Sequence, residues 1–137
     1  MTPKANTTQL ASYQQVDAYS SLQDARPEQV IQVMLDTCLT RLAQAKGHMD
    51  RGEVAEKAEQ ITKALGIVEG LQMSLDTDQG GQLATNLTDL YDYAARTLLL
   101  ANLENKRELL DEVAGLLLEI KSAWDQVTTM AVQPAAS

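Results

Sequence analysis

Apolar residues recur every three or four positions through four successive stretches of this 137-residue chain. This spacing places them on one face of an α-helix, whereas a half-buried β-strand would need them at every second position. Each stretch covers about twenty residues, which corresponds to roughly 30 Å of helix at a rise of about 1.5 Å per residue. Because the breaks between stretches are short, consecutive helices must run antiparallel. The pattern therefore predicts an all-α fold, an up-down four-helix bundle.

Residues that favour helix ends set the expected boundaries. Proline and an acidic residue both suit the first turn of a helix, so the first helix is predicted to begin near Pro27 and to end around Asp50. The next three are predicted to run from about Glu53 to Leu75, from about Leu83 to Asn102 and from about Lys106 to Met130. The predicted organisation is a flexible N-terminus over residues 1–12, one helical-bundle domain over residues 13–130 and a flexible C-terminus over residues 131–137.

The last three helices carry more apolar residues than one core-facing stripe needs. The predicted core-facing stripes are Val54, Ala58, Ile61, Leu65, Val68 and Leu75 on the second helix, Leu83, Leu87, Leu90, Ala94, Leu98 and Ala101 on the third, and Leu110, Val113, Leu117, Ile120, Trp124 and Val127 on the fourth. The apolar residues left over are Ala64, Ile67 and Leu71, then Tyr91, Leu99, Leu100 and Leu103, then Leu109, Leu116, Ala123 and Met130. A wide apolar face is ordinary for a globular helix and accounts for most of them. The remaining surplus residues indicate a surface that binds a partner, because large exposed apolar patches usually mark binding sites. Grooves between helices commonly bind amphipathic helices.

A short helical segment is predicted before the bundle, because Tyr13, Val16, Tyr19 and Leu22 recur every three residues. A helix of this length is not stable alone in water, so the segment is expected to dock on the bundle. Two interpretations stay open. The segment either caps the bundle permanently, which the composition favours, or covers a groove from which a stronger ligand displaces it.

Charge and hydropathy exclude several classes of partner. The net charge of −8 argues against nucleic acid, since affinity there comes largely from Lys and Arg side chains that neutralise phosphates. The acidic balance also disfavours anionic lipid, and no apolar run approaches membrane-spanning length. The first residues lack the apolar segment of a signal peptide, so a cytoplasmic location is predicted.

The residues offer no recognisable catalytic, cofactor or metal site. Cys38 lies within a helical apolar pattern and is predicted to be a small buried hydrophobe. The only histidine, His48, cannot supply the two Glu-x-x-His pairs of a di-metal bundle. The pair Gly80 and Gly81 lacks the lysine of a phosphate-binding loop. We therefore predict a protein that is not an enzyme and that needs no cofactor.

Several short motifs together point to a known family. They are Tyr13 and Val16, the stretch from Pro27 to Asp36, the residues Lys63, Ala64, Ile67 and Val68, the residues Asn86, Leu87, Leu90, Tyr91 and Tyr93, the residues Leu98, Ala101 and Asn102, and the pair Ala123 and Trp124. From about residue 12 to residue 128 the chain resembles the flagellin export chaperone family, FliS, and the motif on the third helix is the most specific part. The chain departs from the family at Leu35, where an aromatic residue is frequent, at Thr37, where glycine is frequent, and at Arg96, a single arginine where two are common.

The resemblance implies a cytoplasmic chaperone that binds the disordered C-terminal region of flagellin, prevents its premature polymerisation and helps to deliver it to the flagellar type III export gate. It also implies that the N-terminal tyrosine segment covers part of the groove in the free protein. We further predict that the chain is a monomer or a weak homodimer. The residues predicted to contact the partner are Tyr13, Val16, Tyr19, Ile67, Leu71, Asn86, Leu87, Tyr91, Leu98, Leu99, Asn102, Leu109, Leu116 and Trp124.

Two alternative hypotheses belong to other classes of function. The surplus apolar faces would equally serve a helical regulatory or homodimerisation module that has no flagellin client. A helical-bundle enzyme is the third hypothesis, and the residues supply no site for it.

Overall fold

A computed structural model describes residues 26–76 and 78–132, with side chains described as far as Asp125. It contains the helices α1 (Pro27–Asp50), α2 (Val54–Met73), α3 (Gly81–Glu104) and α4 (Arg107–Val132), and the described residues contain no strand. The all-α four-helix prediction is confirmed, and each helix begins and ends close to its predicted position. The predictions for residues 1–12, for the tyrosine segment and for residues 133–137 lie outside the described residues.

Each helix packs against two others, so that the four form the corners of a bundle. α1 contacts α2 and α4, and α3 contacts the same two helices. The α1–α2 turn and the α3–α4 turn lie at one end, which we call the turn end, around Gly52 and Asn105. Both residues have a positive φ, at 73° and 57°, as a chain that reverses within two or three residues requires. The α2–α3 loop lies at the opposite end, which we call the groove end.

Aliphatic side chains from all four helices form the core. On α4, Leu110, Val113, Leu117 and Ile120 are buried, as the spacing predicts. Cys38 is fully buried as well, its Sγ lies 3.6 Å from the carbonyl oxygen of Ala64, and burial raises the pKa of the thiol to about 12. The prediction that Cys38 is a small buried hydrophobe is therefore confirmed.

The predicted core-facing stripe of α3 is wrong in its first half. Leu83 and Leu90 are 68% and 37% exposed, whereas Tyr91, which was left off the stripe, is only 1% exposed. The buried line runs through Ala84, Tyr91, Ala94, Leu98 and Ala101. The ring of Tyr91 takes a core position, Leu83 and Leu90 face outward, and Leu87 is partly buried against the core cluster.

A similar correction applies to α2. Ala64 and Leu71 were predicted to lie beside the core-facing stripe, yet they are 0% and 1% exposed. Val54, which was predicted within the stripe, is 66% exposed. Both α1 and α3 pack on α2, so its buried face is wide and its centre is the line between the two neighbours.

Polar side chains hold the turn end together. The Lys57 side chain is 4% exposed, and its Nζ donates to the carbonyl oxygen of Asn102 and to Oδ1 of Asn105, each at 3.1 Å. These bonds satisfy acceptors at the C-terminus of α3, where a positive charge is also favoured by the helix dipole. Asp50 and Arg107 form an ion pair at 3.3 Å across the same end.

No helix in the described part of the chain combines the length and apolar character needed to cross a lipid bilayer.

Candidate functional site

A cavity of about 540 Å³ opens at the groove end, between the start of α1 and the start of α3. Its walls are formed by Val30, Ile31 and Met34 of α1, by Leu83, Ala84 and Leu87 of α3, by Leu75 in the α2–α3 loop and by Trp124 of α4. Ala84 takes a buried position in the first turns of α3, at 4% exposure. Its small side chain leaves space that a leucine would fill, and this explains why the core opens into a cavity here.

A second cavity of about 390 Å³ lies between α3 and α4. Its apolar walls are formed by Leu83, Leu87 and Leu90 of α3 and by Leu116, Ile120, Ala123 and Trp124 of α4. Leu83, Leu87 and Trp124 line both cavities. The two therefore form one continuous surface, which we call the apolar groove.

The spacing of residues on each helix explains why the groove has two apolar walls. Leu83, Leu87 and Leu90 follow one another by four and three positions, so they form a line on one face of α3. Leu116 and Ala123 lie seven positions apart on α4 and share a face as well. An extended groove with two parallel apolar walls suits an amphipathic helix, whose own apolar stripe has the same period.

Trp124 lies where the two cavities of the groove meet, and its buried side contacts the core. It is half-buried and packs against the core cluster. Burial raises the pKa of Tyr91 to about 12, and a side-chain hydrogen bond with Trp124 partly opposes this rise. The indole N–H can only donate, so Tyr91 is the acceptor in this interaction. A rigid aromatic side chain loses little conformational entropy when a ligand packs on it.

Comparison with known proteins settles the family. The sequence profile of the family described as "Flagellar protein FliS" matches residues 9–131. The chain belongs to the FliS family. It is similar to the flagellar secretion chaperone FliSB of Pseudomonas aeruginosa, with 46% identity over 119 residues that cover 87% of this chain and 94% of the relative. It is also similar to the flagellar secretion chaperone FliS of Salmonella typhimurium, with 40% identity over 123 residues that cover 89% and 91%.

A solved structure described as a flagellar chaperone from bacteria shares the fold. It superposes with a TM-score of 0.72 at 14% sequence identity, and the match covers 84% of this chain and 98% of the other. The FliS resemblance predicted from the motifs is thus confirmed at the level of the family and of the four-helix architecture.

The apolar groove of this FliS-family chain brings together three of the residues predicted to contact a partner. Leu87, Leu116 and Trp124 line it. Asn86 and Leu99 are exposed outside it, and Asn86 accepts a hydrogen bond from Gln82 at 2.9 Å. Tyr13, Val16 and Tyr19 lie outside the described residues. These positions stay predictions.

Three predicted contact residues belong to the core instead. Leu71 and Tyr91 are 1% exposed and Leu98 is 0% exposed, so a partner on the surface of this structure cannot reach them. The helical pattern shows that they are apolar, but the choice between core and surface depends on how each helix is rotated against its neighbours.

The remaining predicted residues are partly buried. Ile67 and Leu109 pack against the core cluster from outside, and Asn102 uses its backbone carbonyl to accept from Lys57. Leu109 also lines a separate cavity of about 340 Å³, with Tyr93, Arg96, Thr97, Leu100 and Glu112. Tyr93 donates a hydrogen bond to the carboxylate of Glu112 there, and this bond raises the pKa of Tyr93.

Sequence reasoning missed Leu83 and Leu90 as groove residues, because it assigned both to the core. Met34 and Ile31 on α1 were missed too, since that helix was not expected to contribute a surface. A signal was present in Ala84, a small residue seven positions before Tyr91 that shares the buried face of α3 with Ala94 and Ala101. A line of small residues on a core face marks where helices approach closely or where space is left open.

One group of side chains has the spacing of metal ligands, at the turn end. Atoms of His48, Glu53 and Glu56 lie within 4.8 Å of one another. Arg51 Nε donates to Glu53 Oε1 at 2.8 Å, and the guanidinium also lies 3.2 Å from His48 Nδ1. A positive charge therefore already lies among these atoms. The group is explained as hydrogen bonds that hold the α1–α2 turn.

Proposed function

We propose that this chain is a flagellar export chaperone that binds the disordered C-terminal region of flagellin in the cytoplasm. It prevents premature polymerisation of flagellin and assists its delivery to the flagellar type III export gate. It has no catalytic activity in this role. The observation that carries the proposal is the continuous apolar groove, which joins both cavities through Leu83, Leu87 and Trp124, in a chain of the FliS family.

Free energies of burial support a disordered client. Folding of such a segment on binding costs about 2–5 kcal/mol of the gross interaction energy. Burial of one leucine side chain contributes roughly 1.5–3 kcal/mol. The leucines that line the groove, together with those of a client helix, are therefore enough to offset the ordering cost and leave net affinity. A single small pocket would not bury enough apolar surface to offset this cost.

The same contact would keep flagellin from polymerising. The apolar stripe of an amphipathic segment is the surface by which it would pair with other copies of flagellin. When that stripe lies against Leu83, Leu87 and Leu90, it is covered and unavailable. The groove is open to solvent along its length, so the segment can leave without unfolding of the bundle.

The segment from Tyr13 to Leu22 would cover part of the groove in the free protein. This part of the proposal is supported by chain length. Leu22 precedes Pro27, which lines the groove, by five positions, and five residues span at most about 18 Å when fully extended. Leu22, the last residue of the segment, is therefore within reach of the groove. Tyr13→Ala is expected to loosen it while the thermal unfolding of the bundle stays unchanged.

The test is titration calorimetry of the full chain with a C-terminal fragment of flagellin. We expect tight binding with one fragment per chain, accompanied by a change in the fluorescence of Trp124, the only tryptophan of the chain. Heats indistinguishable from dilution would contradict the proposal.

A second candidate function, homodimerisation, is favoured by exposed leucines that the groove does not use. Leu103 and Leu99 on α3 are 83% and 55% exposed. If their role is to pair with a second copy, light scattering of the chain alone will give the mass of a dimer at every concentration. We expect instead a monomer or a dimer that dissociates on dilution.

A further inference from the structure

The charged residues that line the apolar groove all carry the same sign. Glu28 and Asp76 line the first cavity and Glu119 lines the second, while no Lys, Arg or His is found among the described residues of either wall. Arg26 immediately precedes Pro27 but does not belong to the lining. A cleft lined by one sign of charge between apolar walls attracts ligands of the opposite sign.

Glu28 adds a specific acceptor to this pattern. Its Oε2 is buried and has no hydrogen-bond partner within the described part of the chain. A buried carboxylate oxygen without a donor is unfavourable, and the cost disappears when a ligand supplies a donor. The residue is half-buried in the wall of the first cavity, so a rotation of its side chain would bring this oxygen to an occupant of the groove.

Among the described residues, Glu119 is the one charged residue that lines the second cavity, and it is exposed on α4. The separate cavity further along α3 and α4 differs, because Arg96 and Glu112 both line it. The uncompensated acidic lining is therefore a property of the apolar groove and not of the whole α3–α4 surface.

Resting on the function proposed above, we propose that the client segment that fills the apolar groove is an amphipathic helix whose apolar stripe is flanked by Lys or Arg residues. Its apolar side chains pack between Leu90 and Leu116 and around Trp124. Its basic side chains pair with Glu119 on α4 and with the acidic residues at the mouth of the first cavity.

The test uses two synthetic amphipathic peptides that lack tryptophan and share one apolar stripe, flanked by lysines in one and by glutamates in the other. Trp124 is the only tryptophan of the chain and lines both cavities, so its fluorescence reports on the groove directly. We expect the lysine peptide to bind at least about tenfold more tightly to the full chain, through several pairs that contribute about twofold to fivefold each. Added salt is expected to reduce this difference.

Charge reversal sharpens the test. Glu119→Lys is expected to weaken binding of the lysine peptide by about fivefold and to strengthen binding of the glutamate peptide. Glu69→Lys is the matched control, since Glu69 is exposed on α2 and lies outside both cavities. This control should change neither affinity by more than about twofold through long-range charge alone.

Equal affinity of the two peptides, or no effect of Glu119→Lys, would overturn the inference. If a flagellin fragment still binds and changes the Trp124 signal in that case, the proposed function stands and only the charge preference fails. A Trp124 signal that depends on chain concentration without any peptide would make a second copy the occupant, and this result would overturn the inference as well.

Discussion

The two ends of the bundle contain similar apolar residues but differ in how they are closed. At the turn end, Leu98 and Leu110 are almost completely buried between the helices. At the groove end, Leu83 is 68% exposed, although it lies on the same helix as Leu98. The interior of the bundle is therefore closed at the turn end and open at the groove end. Exposed leucines of the turn end, such as Leu103 at 83%, line neither of the two cavities of the groove.

Different side chains close the turn end and leave the groove end open. At the turn end, Lys57 reaches over the C-terminus of α3 and holds Asn102 and Asn105. At the groove end, a Cβ atom at Gly80 would lie 2.6 Å from both the carbonyl oxygen of Asp76 and the Cβ of Ala84. The α2–α3 loop therefore packs tightly on the first turn of α3, and the small residues at this contact leave the adjacent space open.

The largest expected effect is a loss of stability at the turn end. Leu98→Ala should lower the free energy of unfolding by about 2–5 kcal/mol, because it leaves a cavity in a closed core. Leu99→Ala is the matched control, since Leu99 is the next residue and 55% exposed, and it should change stability by less than about 0.5 kcal/mol. Urea unfolding measures both. Equal losses for the two variants would mean that the buried face of α3 is assigned incorrectly.

A charged residue in the groove should affect binding and leave folding intact. Leu83→Asp is expected to weaken binding of the flagellin fragment by about 1.5–3 kcal/mol, or roughly tenfold or more, because Leu83 lines both cavities. Leu118→Asp is the control, with a similar exposed leucine, at 54%, on α4 and outside the groove. Calorimetry and thermal unfolding separate the two effects. A loss of binding in both variants would show that the groove is not the specific site.

The sequence predicts the helices well because each prediction needs only local information. Pro27 marks the start of α1, and the period of three and four residues on α4 identifies Leu110, Val113 and Leu117 as core. The rotation of α3 needs information from its neighbours. Tyr91 and Leu90 are adjacent and both suit a core, so only the packing of α3 against α2 and α4 decides that Tyr91 is inside.

The candidate site was predicted only in part, because it too depends on how the helices pack against one another. Leu116 flanks a clear stripe and Trp124 lies within it; both were predicted to contact a partner, and both line the groove. The contribution of α1 through Met34 was not predicted, because a cavity between α1 and α3 forms only where their separation and the small Ala84 coincide. Residues that are distant in sequence meet there, and no local sequence pattern predicts how far apart they lie in space.

Loss of the Lys57 hydrogen bonds at the turn end should lower stability by an intermediate amount. Lys57→Met keeps most of the aliphatic length but leaves the Asn102 carbonyl and the Asn105 side chain without their buried donor. We expect a loss of about 1–3 kcal/mol in the free energy of unfolding. Lys63→Met serves as the control on the same helix, since Lys63 is exposed and its ion pair with Glu59, at 3.3 Å, lies on the surface. Binding at the opposite end should be unchanged in both, and a loss of affinity in Lys57→Met would show that the two ends are coupled.

The smallest expected effect is a pH dependence at the α1–α2 turn. Hydrogen bonds from His48 and Arg51 lower the pKa of Glu53 below its ordinary value. A carboxyl group with a lowered pKa in the folded state stabilises that state fully above the pKa of the unfolded chain, about 4.3, and loses this contribution as the pH falls through the folded value. Glu53 is exposed to solvent, which screens these interactions, so the change should be small.

The free energy of unfolding, measured between pH 7 and pH 3, should therefore decrease slightly less in Glu53→Gln than in Glu69→Gln, whose carboxyl lies on the exposed face of α2. Identical acid profiles for the two variants would mean that the turn end depends on Lys57 and its apolar core, and that the cluster around Glu53 contributes nothing to its closure.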